Sequence, residues 1–254
     1  NFILSQIYPD IIFVNNEINI GLAATRNVGL KNIKGEYIQF LDADDILLPN
    51  KISNQIRFLN TVKNSENLIV LSDYIFSNHD MSTISYESTI GQFEINLENL
   101  LMHWERGFSI PIHTGLFPSS IVSYSFNEKL PAKEDWFFWI NLIANNYKFK
   151  FLDIKSLVYR MNDQSMTKSK FLMSGQAWIN VSYFILDYLD NKISKEMKIN
   201  FLSQVVEHYK NWYLPNSINE INIKNDEQKI EIDTMRNKYK NDVETIKIIN
   251  INHK

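Results

Sequence analysis

Four residues, Asp42-Ala43-Asp44-Asp45, place three carboxylates directly after Tyr37 to Leu41, an apolar-rich run that reads as a strand. Residues two apart on an extended chain share a face, so Asp42 and Asp44 can aim at one point. At the carboxyl end of a parallel strand, that point is the crevice in which α/β sheets bind ligands. Hard divalent cations such as Mg2+ or Mn2+ take oxygen ligands and are commonly held by few carboxylates plus substrate phosphates. An ion there would neutralise charge developing on a departing diphosphate. A solvated acidic turn capping the following helix has the same composition.

Three further segments carry groups of the right kind. Asn19 to Gly29 reads as a tight turn at Gly21 leading into a helix with Ala23 and Ala24 for close packing. Arg26 on that helix could meet phosphate or carboxylate bidentately, or be an ordinary surface arginine. In Pro131-Ala132-Lys133-Glu134-Asp135-Trp136, a carboxylate at a helix start serves either as a dipole partner or as a general base for a hydroxyl held beside it. Trp136 and Trp139 offer a wall for a sugar ring, with core packing the expectation for at least one of them. The stretch from Tyr159 and Arg160 to Thr167 is rich in polar donors, as a phosphate-facing loop would be. His113 is ambiguous between structure and catalysis.

The elements around these segments alternate. Residues 11 to 14 read as a strand, Leu22 to Ile33 as a helix stopped at a left-handed Gly35, and Leu68 to Leu71 as a second apolar strand. Between them, Pro49 starts a helix carrying Ile52, Ile56 and Leu59. Glu134 to Asn146 reads as a helix and Phe149 to Arg160 as an extended run. This is the pattern of βαβ units, and it predicts an α/β fold with a mostly parallel sheet flanked by helices. After residue 170 the periodicity is helical and aromatic, with a break near Asp190-Asn191. The domain boundaries expected are 1–170 for the α/β domain, 171–215 for a helical extension and 216–254 for a polar tail.

The 254 residues, with 44% hydrophobic composition and a net charge of −3, suffice for one substantial core and carry no basic bias for nucleic acid. Without cysteine, disulfides and thiolate metal sites are excluded. No apolar run approaches the roughly 20 residues of a membrane span. Neither a Gly-x-x-x-x-Gly-Lys phosphate loop nor a dinucleotide fingerprint occurs.

Taken in order from Tyr8 to Thr167, these pieces resemble the family 2 glycosyltransferases of the GT-A fold. The resemblance rests on Asn19-x-Gly21 through Arg26-Asn27-x-Gly29, the Asp42-x-Asp44 after a strand, Phe126-Asn127-Glu128, and Glu134-Asp135 before a Trp-rich helix. It implies an inverting enzyme that moves a sugar from a nucleotide-diphosphate sugar, a UDP-sugar first, to a carbohydrate or lipid-linked acceptor. It also implies a Mn2+ or Mg2+ cofactor, with Asp44 and Asp42 as metal ligands. Arg26, Asp42, Asp44, Tyr159 and Arg160 would contact the nucleotide sugar. Asp135 would be the general base, with Glu134 and Trp136 at the acceptor.

By analogy with bacterial relatives the setting is surface-polysaccharide synthesis, in the cytoplasm or peripherally at the inner face of the cell membrane. Two elements of the family pattern are absent from this sequence, the opening strand and the Asp-Asp-Gly-Ser segment, and Asn162 stands where many relatives have histidine. The expectation is therefore an N-terminally truncated domain, inactive alone, with a non-catalytic remnant of the same fold as the alternative.

Overall fold

A computed structural model describes residues 10–78, 80–161 and 171–213, divided between two compact units, Asn1–Asn162 and Asp163–Lys254. The expected polar tail 216–254 and most of the stretch from Tyr159 to Thr167 lie outside the described residues. No helix among the described residues is long and apolar enough to cross a membrane.

In the first unit the described elements begin with α1 (Leu22–Lys31), β1 (Tyr37–Gln39), β2 (Ile46–Leu47), α2 (Lys51–Leu59), β3 (Leu68–Ser77) and β4 (Ile84–Glu87). They continue with α3 (Leu97–Met102), β5 (Gly115–Pro118), α4 (Glu134–Ala144) and β6 (Lys148–Arg160). The sheet runs β1-β5-β3-β6-β2, with β4 also paired to β3. β1, β3 and β6 point one way, because β1 and β3 both oppose β5 and β3 lies parallel to β6. The expected α/β sheet with helices against it therefore forms. Its directly parallel pairing among the described strands is β3 with β6, since the antiparallel β5 fills the gap between β1 and β3.

Two local expectations change. Residues 11–14 form no strand, and Ile11, Ile12, Phe13 and Val14 are 39–51% exposed. A β-prone run needs a neighbouring ladder for its N–H and C=O groups, and among the described residues these four have none. The first helix ends at Lys31, not at a left-handed Gly35: Asn32 adopts φ −104 and its side-chain amide donates to Val28 O at 2.8 Å. The start of that helix does need its glycine, since Gly21 sits at φ +84 with its N–H donating to Asn19 Oδ1 at 3.0 Å.

Packing fixes α4 most firmly. Glu134, Trp136, Phe137, Phe138, Trp139, Ile140 and Leu142 are all buried, so nearly the whole circumference of the helix faces protein. Phe138 stacks on Phe126 with ring centroids 4.1 Å apart, and Trp139 stacks on Phe117 at 5.2 Å. A Cβ on Gly115 would come within 2.7 Å of the Phe117 ring and 3.1 Å of Trp139, so β5 passes under this cluster only as glycine. On the sheet, Leu59, Val70 and Leu116 form a core that Tyr37, Ile56, Phe58, Leu68 and Leu152 surround. Such burial, at about 1.5–3 kcal/mol per large side chain, holds the N-terminus of α4 in place.

The second unit contains α5 (Phe171–Tyr188) and α6 (Lys195–His208), the two helices expected on either side of Asp190-Asn191. Ser194 caps α6 by accepting from Met197 N at 3.1 Å, and Trp178 is buried between the helices with its indole N–H on Val205 O at 3.3 Å.

Candidate functional site

Beyond β1 the chain turns sharply, with Asp45 N donating to Asp42 O at 3.1 Å. Because residues 42–45 form a turn and not an extended run, the two-residue periodicity that would pair Asp42 with Asp44 does not operate. Asp42 and Asp45 converge instead. Together with His113 they form a cluster whose candidate ligand atoms all lie within 4.8 Å of one another. The Asp44 carboxylate makes no hydrogen bond or ion pair among the described residues, while its backbone carbonyl accepts from Arg160 Nε.

Asp45 is 8% exposed and His113 1% exposed. Arg160 N donates to Asp45 Oδ1 at 3.0 Å, and His113 Nδ1 lies 2.7 Å from Asp45 Oδ2. That close contact is off the line of an ordinary N–H hydrogen bond, and neither ring nitrogen has a hydrogen-bond partner among the described residues. Two carboxylates and a buried, unsatisfied imidazole are a donor set that fits a divalent cation, Mn2+ better than the harder Mg2+.

Arg26 ties this turn to α4. Its Nη2 donates to Asp42 Oδ1 at 3.0 Å and Oδ2 at 3.3 Å, its Nη1 to Glu134 Oε1 at 2.6 Å, and its guanidinium lies 5.3 Å from the Phe126 ring centroid. Burial opposes its charge, but Asp42, Glu134 and Asp135 outweigh that and raise its pKa above the ordinary arginine value. The next residue holds the frame: Asn27 donates to Phe126 O and Glu128 Oε1, both at 2.9 Å, and accepts from Phe126 N at 2.8 Å. The Phe126-Asn127-Glu128 element is thereby fastened to α1.

Asp135 keeps part of its surface exposed but is surrounded by enough protein that desolvation, reinforced by Glu134, pushes its pKa up to about 7. Arg26, the Trp136 amide (2.8 Å from Asp135 Oδ1) and Lys133 pull the other way. Tyr159 is pushed up to about 12 by burial and by Asp45, Asp135, Asp42 and Asp44, so its phenol is neutral and available as a donor. Its ring lies 5.4 Å from that of His113.

Arg26, Asp42, Glu134, Asp135, Tyr159 and Arg160, all singled out in the sequence, therefore surround one region. Trp136 does not line it. That ring is 0% exposed, stacks on Trp104 at 5.9 Å and gives its indole N–H to Leu100 O at 2.8 Å, so it is a core residue and not an acceptor wall. The sequence reading also missed Asp45, although it stands in the same acidic turn. It left His113 undecided because nothing local shows that this histidine is folded against that turn.

Residues 2–108 match the family model described as glycosyl transferase family 2. That stretch of the chain is similar in sequence to this family. The chain is 29% identical over 153 residues to an uncharacterized glycosyltransferase of Methanocaldococcus jannaschii, covering 59% of this chain and 51% of the relative. It is 31% identical over 163 residues to WfaP of Escherichia coli, a UDP-Glc:alpha-D-GlcNAc-diphosphoundecaprenol beta-1,3-glucosyltransferase, covering 63% of this chain and 60% of that one. Among solved structures, S. aureus TarS residues 1–349 in complex with UDP-GlcNAc superposes with a TM-score of 0.62 at 15% identity, over 89% of this chain and 64% of that one. The chain thus carries the GT-A-like fold expected for it, and it spans 51% and 60% of the length of these two curated relatives.

Proposed function

We propose that the protein containing this chain transfers a sugar from a nucleotide-diphosphate donor to an acceptor hydroxyl, with inversion at the anomeric carbon. The carrying observation is that a carboxylate with a pKa near neutrality, Asp135, sits at the start of a rigid helix beside the Arg26–Glu134–Asp42 bridge and the Asp42/Asp45/His113 cluster. A base poised near 7 is deprotonated in a useful fraction and still basic enough to take a hydroxyl proton.

In this reading Asp135 accepts the acceptor's proton as the acceptor oxygen bonds to the anomeric carbon. The bond from that carbon to the diphosphate breaks, and the nucleoside diphosphate leaves. Asp42, Asp45 and His113 would hold a divalent cation, which when bound supplies charge neutralisation for the leaving diphosphate. The neutral Tyr159 phenol donates a hydrogen bond towards the same oxygens. Arg26 pairs with Glu134 and Asp42 and, as the nearby cation, lowers the cost of ionising the base. A UDP-sugar is the donor supported by TarS and WfaP, and a lipid-linked carbohydrate is the acceptor class supported by WfaP.

The test is product analysis with the complete gene product, Mn2+, UDP-sugars and polyprenyl-diphosphate-linked acceptors. Release of nucleoside diphosphate with an inverted linkage is expected. Asp135→Asn should lower kcat by roughly 10²–10⁴-fold while leaving UDP binding intact. Release of pyrophosphate would mean nucleotidyl transfer, and UDP binding without turnover of any donor would point to the non-catalytic scaffold.

A further inference from the structure

Lys51, the first residue of α2, is a buried cation that the chemistry above leaves unused. It is 1% exposed, and among the described residues its Nζ donates to three neutral oxygens: Gln39 Oε1 at 2.7 Å, Gln55 Oε1 at 2.9 Å and Thr114 O at 3.3 Å. Burying an ammonium without a carboxylate is costly, and a methionine would fill nearly the same volume without that cost. Core packing alone does not account for a lysine here.

The hydrogen bonds around it have one target. Ile112–Thr114 is a short 3-10 turn immediately before β5, and its last two carbonyls take their donors from side chains. Gln39 Nε2 donates to His113 O at 2.7 Å. Gln55 Nε2 donates to Thr114 O at 3.2 Å and to Val70 O at 2.7 Å, and Ser72 Oγ reaches Thr114 O at 3.4 Å. Donors from β1, α2 and β3 thus converge on the backbone that carries the His113 ring.

The opposite side of the cluster is anchored separately. Asp45 Oδ1 accepts from Arg160 N at 3.0 Å, and Leu48 N donates to Ser156 O at 2.9 Å, so the chain after the acidic turn is tied to β6. Gln39 stands before Asp42 and Lys51 after Asp45, so the two residues that bracket the acidic turn are also the ones that grip His113 and Thr114. The 2.7 Å approach of His113 Nδ1 to Asp45 Oδ2 is set where these two anchors meet.

We infer that Gln39 and Lys51 are positioning residues for the Asp42/Asp45/His113 cluster: neither contributes an atom to it, and together they keep the imidazole where it completes the donor set. The inference rests on the reading that this cluster holds a divalent cation. With the imidazole released, two carboxylates remain, a set that suits Mg2+ as well as Mn2+.

Two variants of the complete protein test it. Lys51→Met removes the cation at nearly constant volume. Gln39→Glu keeps an acceptor for Lys51 but loses the N–H that holds His113 O. Mn2+ binding is followed by the paramagnetic resonance of the free ion, and an imidazole ligand by its nitrogen coupling in electron spin echo modulation. A readout without metal accompanies them: modification of His113 by diethyl pyrocarbonate, located by mass spectrometry, with near-ultraviolet circular dichroism checking that the fold is retained.

In the wild type His113 should be protected when metal-free and should coordinate Mn2+ when loaded. Each variant should lose about tenfold in Mn2+ affinity and most of the preference for Mn2+ over Mg2+, lose the nitrogen coupling, and open His113 to the reagent. Should Lys51→Met fail to fold, Gln39→Glu alone decides. Unchanged affinity, coupling and protection in the folded variants, or a loss in Lys51→Met that Gln39→Glu does not share, would overturn the inference. A wild type that binds no Mn2+, with His113 opened by the variants, would leave the mounting of His113 standing and sink the cation reading instead.

Discussion

Replacing Lys51 by methionine should remove a pH dependence of stability that the wild type carries. Lys51 is 1% exposed, and its Nζ donates to Gln39 Oε1 at 2.7 Å, Gln55 Oε1 at 2.9 Å and Thr114 O at 3.3 Å. Gln39 in turn donates to His113 O at 2.7 Å, so this knot fixes the backbone on which the His113 ring is mounted. Burial pushes the lysine from its ordinary 10.5 down to about 7, against the three acceptor oxygens that favour the ammonium.

The sign follows from proton counting. Above about 7 the folded protein has released a proton that the unfolded chain keeps until about 10.5, so stability rises with pH across that window. Between pH 7 and pH 9 the gain from this one group is about 2 kcal/mol. Methionine preserves the apolar stem and volume but cannot titrate. Urea unfolding followed by tryptophan fluorescence at the two pH values, in wild type and Lys51→Met, gives the difference directly, since other titrating groups cancel. Parallel pH dependences in the two proteins would refute the assignment and show that Lys51 stays charged in its three-acceptor cage.

Four other outcomes are expected. Asp135→Asn should be more stable than wild type at pH 8 by up to about 4 kcal/mol, because between 3.8 and about 7 the folded carboxyl keeps a proton the unfolded chain has lost; equal thermal stability at pH 8 would contradict this. In the active protein the same group should make kcat/KM rise to a plateau above about pH 7, and a flat profile from pH 5 to 8 would exclude Asp135 as the base. Arg26→Ala leaves Glu134 and Asp42 without their shared cation and should cost about 3–5 kcal/mol in urea unfolding, with the acid limb of activity shifted to higher pH. Mn2+ affinity, followed by the paramagnetic resonance of the free ion, should fall about tenfold or more in His113→Ala and much less in Asp44→Ala; the reverse order would restore Asp44 as the ligand.

Local chemistry already legible in the sequence accounts for much of this protein. The acidic turn after β1, Gly21 before α1 and Glu134-Asp135 at the head of a Trp-rich helix all lie where the order of motifs puts them. Helix and strand periodicity depends on neighbours a few residues apart, so α2, α4, β6 and the α5–α6 pair could be read without tertiary knowledge.

Other assignments depended on residues far apart in the chain. Asp45 and not Asp44 joins Asp42 because the segment turns and because His113, 68 positions after Asp45, is folded against it by the Gln39 and Lys51 knot. Trp136 is withdrawn from the site by Leu100 and Trp104, which no spacing rule connects to it. Composition fixes which donors and acceptors the chain possesses, whereas which of them meet is decided by packing contacts between α1, the acidic turn, β5 and α4. Those contacts determine which charges are desolvated and which side chains share one site.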